Sequence, residues 1–272
     1  MPLLARAEGS GRCFQLEFPG TGDHIARVIE ETGGFYEAEM LADARSRLFF
    51  PRCAVDVGAH VGNHTIYFAG ALGLRTISFE PNAANFALLQ ANVAINDLSG
   101  QCLLRNFAVG ASEARCVVVP GAANNSGTAR VEASLDGSIQ MVALDRELAD
   151  EPQIDLLKID VEGWEEEVLT GARRTIARCR PIIYVETSEN TFARVRHRLA
   201  GVRYVCWKRF NATPTFLFLP QERLKQGWWG RQLHSHEFAA KSLSNLTATS
   251  PSMRADTHTI CSAHSLYVEA VR

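Results

Sequence analysis

The chain has 272 residues, 46% of them hydrophobic and 21% charged, with a formal net charge of -2, so one sizeable core is expected. The weak charge argues against a non-specific nucleic-acid binder, and no apolar run approaches the roughly 20 residues of a membrane span. The seven cysteines are scattered without a Cys-x-x-Cys pair, which predicts reduced thiols in a cytoplasmic protein, not a disulfide framework or zinc site.

The first 50 residues are predicted to form an N-terminal extension. Residues 1–33 indicate loops, with one short strand over Phe14–Phe18. A helix is predicted next, because apolar residues recur at helical spacing before Pro51. These residues are Tyr36, Met40, Leu41, Ala44 and Leu48.

Short apolar strands then alternate with amphipathic helices. Strands are predicted over Cys53–Val57, Thr76–Phe79 and Cys102–Phe107, with helices over Asn63–Leu72 and Asn82–Asn96 between them. This alternation is typical of right-handed crossover units, and it predicts a parallel sheet with an α/β fold.

The alternation pauses over 111–153, where Gly, Asn and Ser turns separate short strands. These strands are predicted over Cys116–Val119, Ala129–Ala133 and Gln140–Ala143. We interpret the segment as a small β insertion in a core that spans 51–220.

The α/β pattern resumes after the insertion. Its predicted elements are a strand over Ile154–Ile159, a helix over Glu165–Ala177, a strand over Pro181–Val185, a helix over Asn190–Ala200 and strands over Tyr204–Phe210 and Thr215–Leu219. The last two strands are joined by too few residues for a crossover, so they are predicted to be antiparallel. Residues 221–272 are predicted to form a polar C-terminal extension with one strand-like piece over Leu266–Val271.

A glycine-rich loop follows the first predicted strand of the core, with the pattern Asp56-x-Gly58-x-x-x-Gly62. Open parallel sheets bind ligands at the carboxyl ends of their strands, and glycines let the backbone approach a ligand closely. The chain has no Gly-Lys-Ser/Thr of a P-loop. The acid before Gly58 would repel a pyrophosphate and attract an ammonium and a sulfonium, which favours S-adenosylmethionine over a dinucleotide.

The next two strand ends fit the same cofactor. Glu80 follows Gly62 by 18 residues, close to the offset of about 20 at which an acid binds ribose hydroxyls. Asn106 and Ala108 end the third strand, where amide and backbone groups would meet adenine. The alternative for Glu80 is that it only begins the next helix.

The fourth strand of the core ends in Lys158-Ile159-Asp160-Val161-Glu162-Gly163. Asp160 and Glu162 are candidate bases or metal ligands at the edge of the sheet. In the alternative interpretation Glu162 caps the following helix and Lys158 neutralises Asp160. The chain lacks the Asn/Asp-Pro-Pro-aromatic motif of amine methylases and a Pro-Cys nucleophile, which favours a hydroxyl as the methyl acceptor.

These segments together resemble the FkbM-type methyltransferase family, in order, from about residue 23 to 220. The resembling segments are 35–41, 56–65, 79–82, 124–127, 157–163 and 210–215. His60 stands where the family more often has Asn. The resemblance implies a class I methyltransferase, Rossmann-like fold: a seven-stranded sheet with one antiparallel strand and helices on both faces.

The resemblance also implies O-methylation of a hydroxyl on a sugar or secondary metabolite. It maps Asp56, Gly58, Gly62, Glu80 and Asn106 to cofactor contacts, and Asp160 and Glu162 to the reactive edge.

The remaining residues of the predicted site come from the loops. Ala59, His60 and Asn63 belong to the cofactor loop, and His60 is a candidate partner of the cofactor's carboxylate. Asp160, Glu162 and His64 are the candidate general bases. The candidate substrate contacts are Glu37, Asn124, Asn125 and Ser126, although Glu37 suits a helix start and Asn-Asn-Ser-Gly suits a turn equally well.

Two other functions stay open on sequence alone: a nicotinamide-dinucleotide oxidoreductase and a non-catalytic module that binds S-adenosylmethionine. We expect no metal, because two carboxylates without further spaced ligands are a weak metal signature. The expected partner is a small-molecule or glycan acceptor, with no nucleic acid and no membrane span. The sequence leaves the oligomeric state open.

Overall fold

The structure is a computed structural model that describes residues 3–20, 23–119, 130–134, 136–211 and 213–225. The predicted substrate contacts Asn124, Asn125 and Ser126 lie outside the described residues. The strand-like piece over Leu266–Val271 and the predicted extension beyond residue 225 lie outside them as well.

The described residues contain thirteen strands. In chain order they are β1 Leu3–Gly9, β2 Arg12–Phe18, β3 Cys53–Val57, β4 Arg75–Phe79, β5 Cys102–Arg105, β6 Ala108–Val109, β7 Ala114–Val119, β8 Arg130–Ala133, β9 Ile139–Val142, β10 Leu156–Ile159, β11 Ile182–Glu186, β12 Tyr204–Phe210 and β13 Thr215–Pro220. The helices are α1 His24–Thr32, α2 Ala38–Arg47, α3 Asn63–Ile66, α4 Ala83–Ile95, α5 Leu144–Glu147, α6 Glu165–Gly171, α7 Arg173–Cys179, α8 Glu189–Ala200 and α9 Gln221–Lys225, and a π-helix spans Tyr67–Ala71. No helix among the described residues is long and apolar enough to cross a membrane.

Seven strands form the central sheet in the order β12-β13-β11-β10-β3-β4-β5. The pairs from β11 through β5 are parallel, and β13 is antiparallel to both of its neighbours, β11 and β12. The predicted class I fold, with seven strands of which one is antiparallel, is therefore confirmed. The parallel strands β3, β4, β10 and β11 end at one edge of the sheet, where a ligand site is expected.

Successive side chains of each strand point to opposite faces of the sheet, and helices cover both faces. Val55, Val57 and Ile159 point into an apolar core that also holds Val168 of α6 and Val195 of α8. The opposite face contacts α2 and α3 through hydrogen bonds, Tyr184 Oη to Asp43 Oδ2 at 2.6 Å and Thr65 Oγ1 to Asp56 Oδ2 at 2.7 Å.

The predicted insertion forms a second, four-stranded sheet in the order β6-β9-β7-β8. Its β7–β8 and β7–β9 pairs are antiparallel, whereas β6 is parallel to β9. Gly110 follows β6 directly, and a Cβ there would lie 2.5 Å from Met141 Sδ. The residue after β6 therefore packs closely against β9 of the same sheet.

The prediction of a loop-rich N-terminus is wrong, although the short strand expected over Phe14–Phe18 is present as part of β2. Residues 3–18 form an antiparallel hairpin, and α1 begins at an Asp23 cap whose Oδ1 accepts hydrogen bonds from the N–H groups of Ile25 and Ala26. Asn92 of α4 and Asn96, which follows the helix directly, fix the hairpin by hydrogen bonds with the backbone of Glu17 and Gln15.

Two predicted helices are also interrupted in the structure. The helix expected over Glu165–Ala177 is two helices, α6 and α7, which meet at Ala172. Gly171 ends α6, and a Cβ there would lie 2.0 Å from the carbonyl oxygen of Gly110. The helix expected over Asn63–Leu72 changes to π-helical geometry at Tyr67, a feature frequent near functional sites.

Candidate active site

A cleft of about 330 Å³ opens at the carboxyl ends of β3, β4, β10 and β11. Its volume falls within the range of about 300–1,000 Å³ that small-molecule sites occupy. Its walls combine loop, strand-end and second-sheet residues: Asp23, His24, Ile25, Tyr36, Gly58, His60, Glu80, Pro81, Asn82, Asn85, Val118, Val131, Asp160, Val161, Glu162, Glu186 and Thr213.

Gly58 lies where β3 and β10 diverge, and only glycine fits there. Its φ is +78°, and a Cβ would lie 1.7 Å from the carbonyl oxygen of Asp160. The N–H groups of Gly58 and Ala59 both donate to the carbonyl oxygen of Phe79, at 3.0 Å. The loop after β3 is thus held between two neighbouring strand ends, and its backbone lines the cleft.

Gly62 and Ala59 shape the loop from behind and do not line the cleft. Gly62 has a φ of +101°, and a Cβ there would lie 2.7 Å from Leu89 of α4. Its N–H donates to the carbonyl oxygen of Ala59 at 2.8 Å, which closes the turn. Ala59 itself is buried.

Glu80 presents a carboxylate that the loop backbone holds in place. Its two oxygens accept hydrogen bonds at 2.8 Å from the N–H groups of His60 and Asn82. Burial raises the pKa of Glu80 to about 7, although these two hydrogen bonds oppose the rise. Asn82, not Glu80, caps α4, so the alternative interpretation of Glu80 as only a helix-start residue is not what the structure shows.

His60 lies on the cleft wall with a backbone φ of +52°. Burial lowers the pKa of its imidazole, and the charges of Asp23 and Asp160 act in the opposite direction. The ring is therefore held toward its neutral form beside the cleft.

Asn106 and Ala108 support the site without lining it. The Asn106 amide donates to the backbone carbonyl oxygens of Glu80 at 2.8 Å and Pro81 at 3.2 Å. Ala108 is buried in the small core of the second sheet with Cys116 and Met141. Asn106 therefore lies behind Glu80 and Ala108 lies in the second sheet, and their contact with the cofactor stays a prediction.

Asp56 is fully buried and does not reach the cleft. Its Oδ2 accepts a hydrogen bond from Thr65 Oγ1 at 2.7 Å, and its Oδ1 lies 3.4 Å from Lys158 Nζ. The predicted direct contact of Asp56 with the ligand is therefore corrected: strand alternation turns the side chain to the face covered by α3.

Lys158 contacts both the buried Asp56 and two residues that line the cleft, Gly58 and Asp160. Its Nζ lies 3.1 Å from the carbonyl oxygen of Gly58, 3.2 Å from Asp160 Oδ2 and 3.4 Å from Asp56 Oδ1. Burial alone would lower the pKa of Lys158, but the surrounding carboxylates raise it above its usual range. Lys158 and Asp160 therefore form an ion pair, as the alternative interpretation of this segment expects.

Asp160 and Glu162 both line the cleft, as the sequence predicts. The strand ends at Ile159, and Glu162 reaches the cleft through a left-handed backbone turn with a φ of +50°. Burial and then the charges of Asp160 and Glu165 raise the pKa of Glu162 to about 7. Glu162 does not cap α6, because Glu165 accepts the hydrogen bond from the Gly163 N–H at that helix start.

Glu37 and His64 pair below the cleft and do not line it. His64 Nε2 lies 3.0 Å from Glu37 Oε2, and Glu37 Oε1 accepts hydrogen bonds from Asn211 Nδ2 and Thr215 Oγ1. Burial alone would raise the pKa of Glu37, but the hydrogen bond and charge of His64 outweigh it and lower the pKa. His64 and Glu37 are therefore not on the cleft wall, and the roles of His64 as base and Glu37 as substrate contact stay predictions.

Asn63 positions Tyr36, which does line the cleft. The Asn63 side chain accepts a hydrogen bond from the Tyr36 N–H at 3.1 Å and donates to its carbonyl oxygen at 3.2 Å. Burial raises the pKa of the Tyr36 hydroxyl to about 12, and the charges of Glu37, Glu186 and Asp160 act in the same direction. Tyr36 thus enters the site as a hydrogen-bond donor.

Sequence reasoning missed several polar cleft residues, among them Asp23, His24, Tyr36 and Glu186. A signal existed only for Glu186, since the strand predicted over Pro181–Val185 ends at this acid, at the edge that carries Asp160. Asp23 and His24 belong to a helix that the loop prediction overlooked. Among the described residues, no group of three or more His, Cys, Asp or Glu is arranged to hold a metal ion.

Known proteins were compared with the chain at the level of sequence and structure. A family profile described as "Methyltransferase FkbM domain" matches residues 56–206. No curated protein sequence matches the chain.

Three solved structures illustrate the structural likeness. Methyltransferase FkbM from Methylobacillus flagellatus KT is 18% identical, with 64% of this chain and 47% of that chain covered and a TM-score of 0.47. Precorrin-6y C5,15-methyltransferase from Geobacter metallireducens GS-15 is 15% identical, with 66% and 86% covered and a TM-score of 0.42. TrmK from M. capricolum, in complex with S-adenosylhomocysteine, is 13% identical, with 66% of each chain covered and a TM-score of 0.40.

The chain spans about half the length of the Methylobacillus relative. The family profile, in contrast, covers more than half of the 272 residues and includes the loop after β3, Glu80 and the end of β10. The chain therefore belongs to the FkbM methyltransferase family, as the sequence resemblance predicts.

Proposed function

We propose that the cleft binds S-adenosylmethionine and that the protein transfers its methyl group to a hydroxyl of a small-molecule or glycan acceptor. The observation that carries the proposal is the position of Gly58 in the loop after β3. Gly58 lies beside Glu80 on one side and beside Asp160 and Glu162 on the other. One cleft thus joins a backbone surface for the cofactor to carboxylates for the acceptor.

The residues present suit this cofactor. Gly58 lets the backbone after β3 pass close to the carbonyl oxygen of Asp160, from which a Cβ would lie only 1.7 Å away, and this backbone lines the cleft. Glu80 keeps its carboxylate on the wall by accepting two backbone hydrogen bonds, and the remaining lone pairs suit a ribose diol. The cofactor supplies an electrophilic methyl group, and these residues bind and orient it.

Orientation and proton removal are the tasks that remain for the protein. Alignment of the attacking oxygen with the methyl group and sulfur lowers the entropic part of the barrier. Glu162 is our candidate for the general base, because it lines the cleft and makes no hydrogen bond or ion pair with another described residue. Asp160 is held by Lys158 at 3.2 Å, which suits it to orient the acceptor.

The charge of the cleft favours an acceptor without phosphate groups. Among the described residues that line it, none is Lys or Arg, whereas five are Asp or Glu. A nucleic-acid backbone requires cations on the protein surface, so the expectation of a small-molecule or glycan acceptor is retained in this proposal.

Glu80→Gln is expected to weaken binding of S-adenosylhomocysteine about 10- to 100-fold, because it removes a charge-assisted acceptor of about 1.5–3 kcal/mol. Calorimetric titration measures the change. Glu39→Gln is the matched control, since the Glu39 side chain is 69% exposed on α2 and pairs only with Lys208 in the described contacts. Equal affinity in Glu80→Gln and Glu39→Gln would rule out the ribose role.

Glu162→Gln is expected to slow methyl transfer about 100-fold while cofactor affinity stays within about twofold. A base must be deprotonated, and the pKa of Glu162 is about 7, so the wild-type rate should rise with pH up to about 7 and then level off. The variant should lose this rise. A wild-type pH profile retained in Glu162→Gln would assign the base to another residue.

The test of the proposed function is transfer of a labelled methyl group to a panel of hydroxyl-bearing acceptors, each paired with its O-methylated form as a blocked control. Transfer to the free hydroxyl compounds alone supports the proposal. A protein that binds the cofactor and methylates no acceptor would fit the non-catalytic module instead.

A further inference from the structure

Glu186 is a cleft carboxylate for which the proposed reaction has so far no use. It is the last residue of β11 and lines the cleft. The pairing of Val185 with Ile159 places Glu186 beside Asp160, at the ends of two adjacent parallel strands. On its other side the backbone of Glu186 pairs with Thr215 of β13, so the position of the residue is fixed by two strands.

The other carboxylates near β10 already have partners. Asp160 and Asp56 share Lys158, whose third contact is the carbonyl oxygen of Gly58. Lys158 thus donates hydrogen bonds to Gly58 and Asp160 and forms an ion pair with Asp56, and its described hydrogen bonds and ion pairs do not include Glu186. Glu80 accepts from two backbone N–H groups.

The side chain of Glu186 makes no hydrogen bond or ion pair with another described residue, although most of its surface is covered. Together with Glu162, it leaves the reactive edge of the cleft with two carboxyl groups that the described residues do not satisfy. A half-buried carboxylate without a partner is costly, and a bound cation would relieve that cost.

We propose that Glu186 makes the site prefer S-adenosylmethionine over S-adenosylhomocysteine. Its carboxylate stabilises the positively charged sulfonium of S-adenosylmethionine and gives no such stabilisation to the uncharged thioether of S-adenosylhomocysteine. The inference rests on the proposed function. It follows that the site holds the methyl donor more tightly than the spent product, which favours product release.

The titration of Glu186 supports this role. Burial and then the charges of Asp160 and Glu37 raise the pKa of Glu186 to about 9, Glu162 acts in the same direction, and Lys158 opposes them. Tyr36 and His60 also line the cleft and are held toward their neutral forms. Near neutral pH the free protein therefore carries a proton on Glu186, and binding of a cation beside it releases that proton, whereas binding of the thioether does not.

The test compares S-adenosylmethionine and S-adenosylhomocysteine by calorimetry, in two buffers of different ionisation enthalpy, on the wild-type protein and three variants. Glu186→Gln keeps the shape and removes the charge, Glu186→Asp keeps the charge, and Glu189→Gln changes an exposed glutamate at the start of α8. Thermal unfolding of each variant checks that the fold is intact.

We expect Glu186→Gln to weaken binding of S-adenosylmethionine about five- to tenfold, while the affinity for S-adenosylhomocysteine changes less than about twofold. The proton released on binding S-adenosylmethionine should disappear in Glu186→Gln. Glu186→Asp and Glu189→Gln should keep most of the wild-type preference between the two ligands.

An equal loss of affinity for both ligands in Glu186→Gln would show a structural role and overturn the inference, and so would an unchanged preference. If the wild-type protein binds neither ligand, the proposed function itself fails. If it binds both and only the effect of Glu186 is missing, the proposed function stands without this inference.

Discussion

Gly58→Ala is expected to lower the free energy of unfolding by about 3 kcal/mol and to weaken cofactor binding about 100-fold, or about 2.7 kcal/mol. Two effects combine at this position. The new Cβ would lie 1.7 Å from the carbonyl oxygen of Asp160, so the ends of β3 and β10 must separate. The backbone also has a φ of +78°, which L residues rarely adopt. Denaturant unfolding and calorimetric titration measure the two changes.

Gly73→Ala is the matched control for this prediction. Gly73 has a φ of +71°, but a Cβ there would meet nothing within 4 Å. It carries the backbone strain without the clash, so a loss of about 1 kcal/mol in stability and unchanged cofactor affinity are expected. If both alanine variants bind the cofactor like the wild-type protein, the close approach at Gly58 has no part in binding.

Lys158→Met is expected to destabilise the protein by about 3–5 kcal/mol. The methionine fills much of the same volume, so the loss is chiefly electrostatic. Asp56 is fully buried and would lose its only positive neighbour in the described contacts, and Asp160 would lose its partner at 3.2 Å. Urea unfolding at neutral pH measures the difference in the free energy of unfolding.

Two further variants isolate the cause of that loss. Lys208→Met removes an exposed lysine that pairs with Glu39 at 2.9 Å, and it should cost about 1 kcal/mol or less. The double variant Asp56→Asn with Lys158→Met leaves no unpaired charge at Asp56 and should recover part of the stability. A Lys158→Met protein as stable as Lys208→Met would contradict the assigned role of the buried lysine.

Local patterns were sufficient to predict the central sheet. Apolar strands such as Cys53–Val57 carry strong signals, and the short link between β12 and β13 excludes a crossover. The N-terminal hairpin was missed because its first strand buries only small residues, Ala5 and Ala7, which give a weak alternation. The break at Ala172 was missed because the apolar stripe continues across it.

Where the chain itself brings predicted residues to a strand end, as for Gly58, Glu80, Asp160 and Glu162, they line the cleft. Pairings between distant segments could not be read in this way. Asp56 is opposite Lys158 in the β3–β10 register, and His64 meets Glu37 across two elements. These contacts turn both side chains away from the cleft, and a sequence motif alone does not show which of its side chains face the cleft.

The central claim is that the cleft beside Gly58 is a site for S-adenosylmethionine. Calorimetric titration of the wild-type protein with S-adenosylhomocysteine, and separately with NADH and NADPH, tests it most directly. The account predicts one molecule of S-adenosylhomocysteine bound per chain, weakened in Gly58→Ala and Glu80→Gln, and no binding of either dinucleotide. Binding of NADH or NADPH without binding of S-adenosylhomocysteine would contradict it.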